Sequence, residues 1–198
     1  MLALSHFLRW SVGLAGPDTQ TTAAERDCLA RLATGRRRIV EIGVWHGVTT
    51  ARLRAAMAPD GVLLAVDPYP VGRLGVSLQR IIARREVARV RNAMVRWIRL
   101  TGAQAAGRYA VRGEPPVELV FIDGDHSYDA VRADWTGWSP LVADGGVVAL
   151  HDSRPTAGRP IGDAGSVRFT NEVILHDRRF ELAGTEDSLT VVRRRSAP

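Results

Sequence analysis

Two short apolar runs in this chain end abruptly in ionisable side chains, and few folds accommodate that pattern. The first, Val117–Ile122, is followed by Asp123-Gly124-Asp125-His126. The second, Gly146–Leu150, is followed by His151-Asp152. A brief apolar run bounded by turn residues reads as a buried strand. Such a strand has no structural use for carboxylates and imidazoles at its carboxyl end, whereas in open α/β sheets that end is where ligands bind. Neighbouring strands would deliver Asp123, Asp125, His126, His151 and Asp152 to one rim. That grouping points to a metal or acid/base site.

Strand and helix patterns alternate along the rest of the chain. Thr21 or Thr22 opens a helix to about Ala33, with Glu25 at the spacing of a capping box. Strands follow at Ile39–Gly43, Val62–Val66 and Val95–Leu100. Helices are expected at Ala51–Met57, about Val76–Ala93 and near Gln104–Tyr109. Beyond Val117–Ile122 the pattern gives a helix over Tyr128–Trp138, with Trp135 and Trp138 as core or interface, and the strand Gly146–Leu150. A Gly/Pro-rich loop, Arg154–Gly165, would wall the site, with Arg154 and Arg159 facing substrate or solvent. A helix over Ser166–His176 precedes two hairpin strands, Phe180–Ala183 and Ser188–Arg193. Such alternation specifies an α/β fold with a mostly parallel sheet. The 198 residues, 45% hydrophobic, suit one domain over 1–198. Residues 1–17 form an N-terminal helical arm, with Leu2, Phe7, Leu8 and Trp10 as its apolar stripe. Such an arm packs on the body, covers a site or pairs two subunits, so a homodimer is an open expectation.

Composition removes some chemistries. The single cysteine, Cys28, permits no intrachain disulfide and suits a reducing compartment. The apolar stretch near the start is broken by His6 and Arg9, too short for a membrane span, and lacks a basic leader. A cytoplasmic protein without membrane contact is expected. All 27 basic residues are arginine, so no lysine is available as base or nucleophile. The net charge of +6 is spread along the chain, which reads as a solvated surface; a nucleic-acid partner is the disfavoured alternative.

The first strand runs into Glu41-Ile42-Gly43-Val44-Trp45-His46-Gly47, with Thr49 and Thr50 next. Gly43 permits a tight turn; Gly47 permits backbone approach to a ligand or close helix packing. Trp45 and His46 would line the pocket or its mouth, or stand exposed in the loop. This is neither the glycine fingerprint of dinucleotide enzymes nor a phosphate loop. Asp67 closes the second strand, where doubly wound folds set an acid on ribose hydroxyls or, more plainly, where an acid caps a helix. Together Glu41, Gly43, Gly47 and Asp67 resemble the class I S-adenosylmethionine-dependent methyltransferases. The resemblance implies a Rossmann-like doubly wound sheet of seven strands, mostly parallel with a C-terminal antiparallel hairpin and helices on both faces. It implies S-adenosyl-L-methionine held by Glu41, Gly43, Gly47, Thr49, Thr50, Asp67, Gly102, Ala103 and Asp123.

Phe121-Ile-Asp-Gly-Asp-His-Ser-Tyr128, Trp138-Ser-Pro-Leu-Val-Ala-Asp-Gly-Gly146 and Ala149-Leu-His-Asp152 sharpen the likeness. They resemble the metal-dependent small-molecule O-methyltransferases, including macrolide-sugar, rhamnosyl and cephalosporin-hydroxylase-like members. The resemblance implies methyl transfer to a hydroxyl of a small molecule, with a saccharide favoured. It places a divalent metal, Mg²⁺ before Mn²⁺, on Asp123, His151 and Asp152. A histidine at 151 departs from the group's acidic pattern, so it acts on metal or on substrate. His126 stands where related enzymes carry a basic catalytic group, and a histidine titrates near neutral pH. It is read as general base, helix cap or metal support; Asp125 orients it, binds metal through water or caps a helix. The rival functions are an RNA methyltransferase and a non-catalytic S-adenosylmethionine-binding protein.

Overall fold

The computed structural model describes residues 2–72 and 75–196, with side chains from Leu4 onward. Helix α1 spans Leu2–Ser11 and α2 spans Ala23–Ala33. The order continues β1 Arg38–Ile42, α3 Val48–Ala56, β2 Val62–Val66, α4 Leu78–Ala88, β3 Met94–Ile98 and α5 Gly102–Val111. It closes with β4 Val117–Ile122, α6 Tyr128–Trp138, β5 Val142–Leu150, α7 Gly165–Glu172, β6 Phe180–Glu186 and β7 Leu189–Arg194.

The seven strands form one sheet in the order β3-β2-β1-β4-β5-β7-β6. β1 to β5 pair in parallel, and β7 runs antiparallel to both β5 and β6. The strand order reverses between β1 and β4, which opens a crevice at their carboxyl ends. This is the Rossmann-like, mostly parallel sheet with a terminal hairpin that the sequence implied.

Apolar side chains fill both faces. On one, Val40, Ile42, Val120 and Val148 pack with Tyr109 of α5, Trp135 and Trp138 of α6, and Phe169 of α7. On the other, Ile39, Leu63, Leu119 and Phe121 pack with Leu29 of α2 and Leu53 of α3. Both helices that begin with a capping box start as sequence chemistry dictates: Thr22 with Glu25, and Thr101 with Gln104.

Some boundaries differ from expectation. α4 stops at Ala88 instead of Ala93. Asn92 Nδ2 donates to the carbonyls of Arg54, Ala55 and Met57, and the Arg54 guanidinium donates to those of Val87, Asn92 and Ala93. These ties hold the segment after α4 against α3 as a loop. α7 ends at Glu172, and residues 174–176 form a separate 3-10 turn. β5 begins at Val142, and Gly145 and Gly146 lie within it.

The arm docks on α4 through Trp10, whose indole N–H donates to Glu86 Oε1 at 3.3 Å. Leu8 does not share that face; it stands exposed with Leu4 and Val12. At about 100° per residue, Leu8 cannot share the inward line of His6 and Trp10. The Leu2 side chain lies outside the described residues. Among the described residues no helix is long and apolar enough to cross a membrane.

Candidate active site

A single row of backbone hydrogen bonds fixes the rim. Beyond the strand ends, Asp67 N–H donates to Ile98 O and Gly43 N–H to Val66 O. Asp123 N–H donates to Ile42 O and His151 N–H to Ile122 O. The ladder thus carries Asp67, Gly43, Asp123 and His151 side by side across the crevice.

His151 is the buried centre. Its Nδ1 lies 2.8 Å from Asp123 Oδ1, and its Nε2 lies 3.3 Å from Glu25 Oε2. These are ion-pair contacts, because neither ring nitrogen has a well-aligned hydrogen-bond partner. Burial opposes charge on the ring, but Asp123, Glu25 and Asp152 outweigh it and push the imidazole up to about 10. Glu25 responds in the opposite direction. Burial would raise it, yet His151, Ser188 and the Thr22 backbone bring it down to about 2. Glu25 Oε1 accepts from Ser188 N–H at 2.9 Å and Ser188 Oγ at 2.6 Å; Oε2 accepts from Thr22 N–H at 2.8 Å. The residue that caps α2 therefore also holds His151.

His126 and Asp152 form the open half of the site. His126 Nε2 is 3.6 Å from Asp152 Oδ2 and 4.0 Å from Asp123 Oδ1, with about a third of its side chain exposed (34%). Asp152 is buried in a left-handed backbone conformation (φ 50°), held by Ser166 Oγ donating to its carbonyl and Ser188 Oγ accepting from its N–H. Its Oδ1 is buried without a hydrogen-bond partner. Arg159, from the loop between β5 and α7, reaches Asp152 Oδ2 at 2.7 Å and donates to Gln20 O at 3.0 Å. Arg154 turns instead to Asp187 O. Asp125 accepts from Ser127 N–H, and Ser127, not Asp125, caps α6.

Two cavities meet at the glycine turn. The smaller, about 220 Å³, is lined by Glu41, Gly43, Thr49, Asp123, His126 and the Asp18–Gln20 segment, among others. Glu41 is fully buried there, and neither carboxyl oxygen has a hydrogen-bond partner. Burial pushes this acid well above the usual carboxylate range; Thr50 opposes the shift, and the charges of Asp123 and Asp67 add to it. The larger cavity, about 520 Å³, is walled by Val66, Pro68, Gly102, Ala103, Ala130 and Ala133. Its charged lining is four carboxylates, Asp67, Asp123, Asp125 and Asp134, with no arginine or histidine. That is notable in a chain of net charge +6. Gly43 borders both cavities at φ +86°, where a Cβ would collide with the Asp123 carbonyl.

Other expected residues take more structural places. Gly47, at φ +77°, presses against Ala83 and Val87 and so packs α3 on α4. Thr50 is buried beside Glu41, and neither Gly47 nor Thr50 lines the two cavities. Asp67 borders the larger cavity, but it also accepts the N–H groups of Val44, Trp45 and Tyr69. It thereby shapes the glycine turn. His46 is buried rather than exposed in its loop, stacked between His6 and Trp45, with Nδ1 accepting from Asp18 N–H. The arm supplies that cover. Trp45 borders both cavities.

Glu25 and Asp134 were not legible as site residues. Glu25 carried only its capping signal, and Asp134 none.

Residues 40–153 match a family model described as a methyltransferase domain. The chain is 29% identical over 174 residues to a Mycobacteroides abscessus protein provisionally named an O-methyltransferase, covering 84% of this chain and 74% of that one. It is also similar to the O-methyltransferase from Bacillus cereus in complex with SAH, at TM-score 0.69 and 18% identity, covering 98% of this chain and 91% of that one. The O-methyltransferase TomG from Streptomyces achromogenes, involved in tomaymycin synthesis and solved with SAM, superimposes at TM-score 0.69 and 22% identity, covering 98% and 90%.

Proposed function

This chain belongs to the methyltransferase-domain family, and from that premise we propose that it is an S-adenosylmethionine-dependent O-methyltransferase acting on a hydroxyl of a small molecule. The observation that carries the reading is Glu41. A buried acid with both oxygens unpartnered is costly unless a ligand completes it. It lines a small cavity that shares Gly43 with a larger one whose lining has no arginine or histidine. A ligand with a positive amino acid end and a neutral, hydrogen-bond-donating nucleoside fits. A phosphate-bearing dinucleotide would meet four carboxylates and no arginine.

S-adenosylmethionine supplies a methyl group already activated by its sulfonium charge. The chain then has two tasks: to align the acceptor oxygen and to take one proton. His126 Nε2 is placed to accept the hydroxyl proton, because its side chain is more exposed than those of Asp123, Asp152 and His151. Asp152 and Asp123 flank that nitrogen and stabilise the imidazolium formed. His151 holds Asp123 in position and is itself held by Glu25.

The donor set also fits a divalent metal. Asp123 lines the smaller cavity, and the buried, partnerless Oδ1 of Asp152 is a second hard oxygen donor on the same rim. Asp123 and Asp152 would hold the ion, Mg²⁺ before Mn²⁺. His151 remains the third expected ligand, since one ligand atom each from Asp123, His126 and His151 lies within 4.8 Å of the others. When bound, the metal supplies a lowered pKa at the acceptor hydroxyl.

A saccharide acceptor is favoured by the likeness of segment 121–152 to sugar O-methyltransferases. The exposed Leu4, Leu8 and Val12 support a homodimer through the arm, which light scattering would read. The test of function is transfer of labelled methyl from S-adenosylmethionine to a panel of sugars, phenols, amines and RNA, with Mg²⁺ present. Label entering a hydroxyl compound supports the reading. Label entering only amines or RNA overturns it.

A further inference from the structure

The chain's positive charge gathers on one edge of the sheet, outside the site described above. Arginines occur throughout the sequence, but acids do not. Residues 68–113 hold ten of the 27 arginines and only one of the 21 acids, Glu86. That segment carries +9 and the rest of the chain −3, so the expected even spread of charge does not hold. The segment supplies α4, α5 and β3, the outermost strand of the sheet. Between β3 and α5 lies a cavity of about 370 Å³, the size of a small-molecule site. Arg96, Arg99, Arg108 and Arg112 line it with one carboxylate, Glu114, which leaves a surplus of three positive charges. Its floor is apolar and buried, made by Leu64, Ala105 and Tyr109.

Among the described residues, only Arg96 of the four has an ion-pair partner, Glu114 at 3.1 Å. Arg99 donates to the carbonyl of Tyr69 at 3.3 Å. Arg108 and Arg112 stand exposed one turn apart at the end of α5, and neither guanidinium has a partner among the described residues. A helix C-terminus favours cations, but two of them at this spacing repel each other. Protection of an open edge accounts for Arg96 and Arg99, because charge beside an edge strand discourages pairing with another chain. It does not account for Arg108 and Arg112, which belong to α5. Independently of the cofactor reading, we propose that this cavity binds an organic diphosphate, with its phosphates on the arginines and its apolar or aromatic end on the buried floor. A diphosphate offers oxygens to several guanidinium forks at once and carries about three negative charges, which match the surplus. A lone carboxylate offers one. The four carboxylates of the cofactor cavity would repel the same ligand, so charge directs the two ligands to different places.

The experiment is calorimetric titration of the full chain with uridine diphosphate, inorganic pyrophosphate and a single-stranded oligoribonucleotide in moderate salt. The wild type is expected to bind one uridine diphosphate per chain, and to bind it more tightly than pyrophosphate, which carries at least as much charge but has no apolar end. Arg108→Gln and Arg112→Gln should each weaken uridine diphosphate by about tenfold or more, the scale of a lost hydrogen bond between charged groups. Arg91→Gln removes an exposed charge from the same segment without touching the cavity, and it should change affinity by less than about twofold, since salt screens distant charges. Absence of uridine diphosphate binding by the wild type overturns the proposal, as does pyrophosphate binding equally well. Equal weakening by Arg91→Gln overturns it in favour of a diffuse basic field. Much tighter binding of the oligoribonucleotide, with a steep salt dependence, overturns it in favour of a nucleic-acid surface.

Discussion

The Nε2 of His151 lies 3.3 Å from Oε2 of Glu25, although α2 and β5 are separated by the greater part of the chain. Glu25 also caps its own helix and accepts two hydrogen bonds from Ser188 in the turn of the terminal hairpin. One carboxylate thus ties α2, the last hairpin and the acidic rim together. Both Glu25 and Ser188 fall outside the segment matching the family model, residues 40–153. The site depends on parts of the chain beyond its most family-like portion.

That tie should be visible in a double-mutant cycle. Removing one partner of a buried ion pair costs roughly 3–5 kcal/mol, because the other charge is stranded. Glu25→Gln and His151→Gln should each destabilise on that scale in urea unfolding. The double variant should cost clearly less than the sum, since neither charge is then left alone. Strict additivity would show that the two residues do not interact.

Removal of the base should separate chemistry from binding. His126→Gln is expected to lower kcat by about 10²–10⁴-fold, the usual contribution of a positioned general base. Affinity for S-adenosylhomocysteine should stay within about twofold, below the free energy of a single hydrogen bond. Asp152→Asn and excess EDTA should each depress turnover with the same affinity retained. Full turnover in EDTA would remove the metal from the account.

Gly43→Ala probes the junction of the two cavities. The position has φ +86°, and its Cβ would strike the Asp123 carbonyl. The left-handed conformation alone costs an alanine about 1–2 kcal/mol. The variant should be destabilised by at least that much and should lose S-adenosylmethionine binding. Wild-type affinity in Gly43→Ala would mean that the glycine turn does not border the ligand.

Asp134 gives a pH signature in stability. Burial lifts its carboxyl from 3.8 to about 6, with the Ala103 N–H opposing and Asp125 adding. The folded pKa lies above the unfolded one, so the folded chain binds the extra proton, and this contribution is lost as pH rises from about 4 to 6. Asp134→Asn should therefore gain thermal stability relative to wild type across that interval. A constant difference in Tm from pH 4 to 6 would contradict the shift.

Much of the fold was legible because the strand runs here are short, rich in Val, Ile and Leu, and end in turn residues. Their carboxyl-end groups, Asp67, Gly43, Asp123 and His151, fall in one hydrogen-bonded row, as the parallel sheet requires. Long-range pairing was not legible. Nothing local says that Glu25, a helix-capping acid, faces His151, or that Asp134 on α6 faces Gly102 on α5. Gly47 could serve ligand or packing, and only the position of Ala83 shows its packing role. The burial of His46 was not legible because it comes from the arm, through stacking on His6. The end of α4 was overrun because Asn92 and Arg54 stop it by side-chain contacts with α3, not by a local breaker.

The central claim is that the cavities around Glu41 hold S-adenosylmethionine. The most direct measurement is isothermal titration of wild type and Glu41→Gln with S-adenosylmethionine. The account predicts saturable binding of one ligand per chain by the wild type. It predicts at least about tenfold weaker binding by Glu41→Gln, because the amide cannot offer the charge that an ammonium partner needs. No binding by the wild type, or equal binding by both proteins, would contradict it.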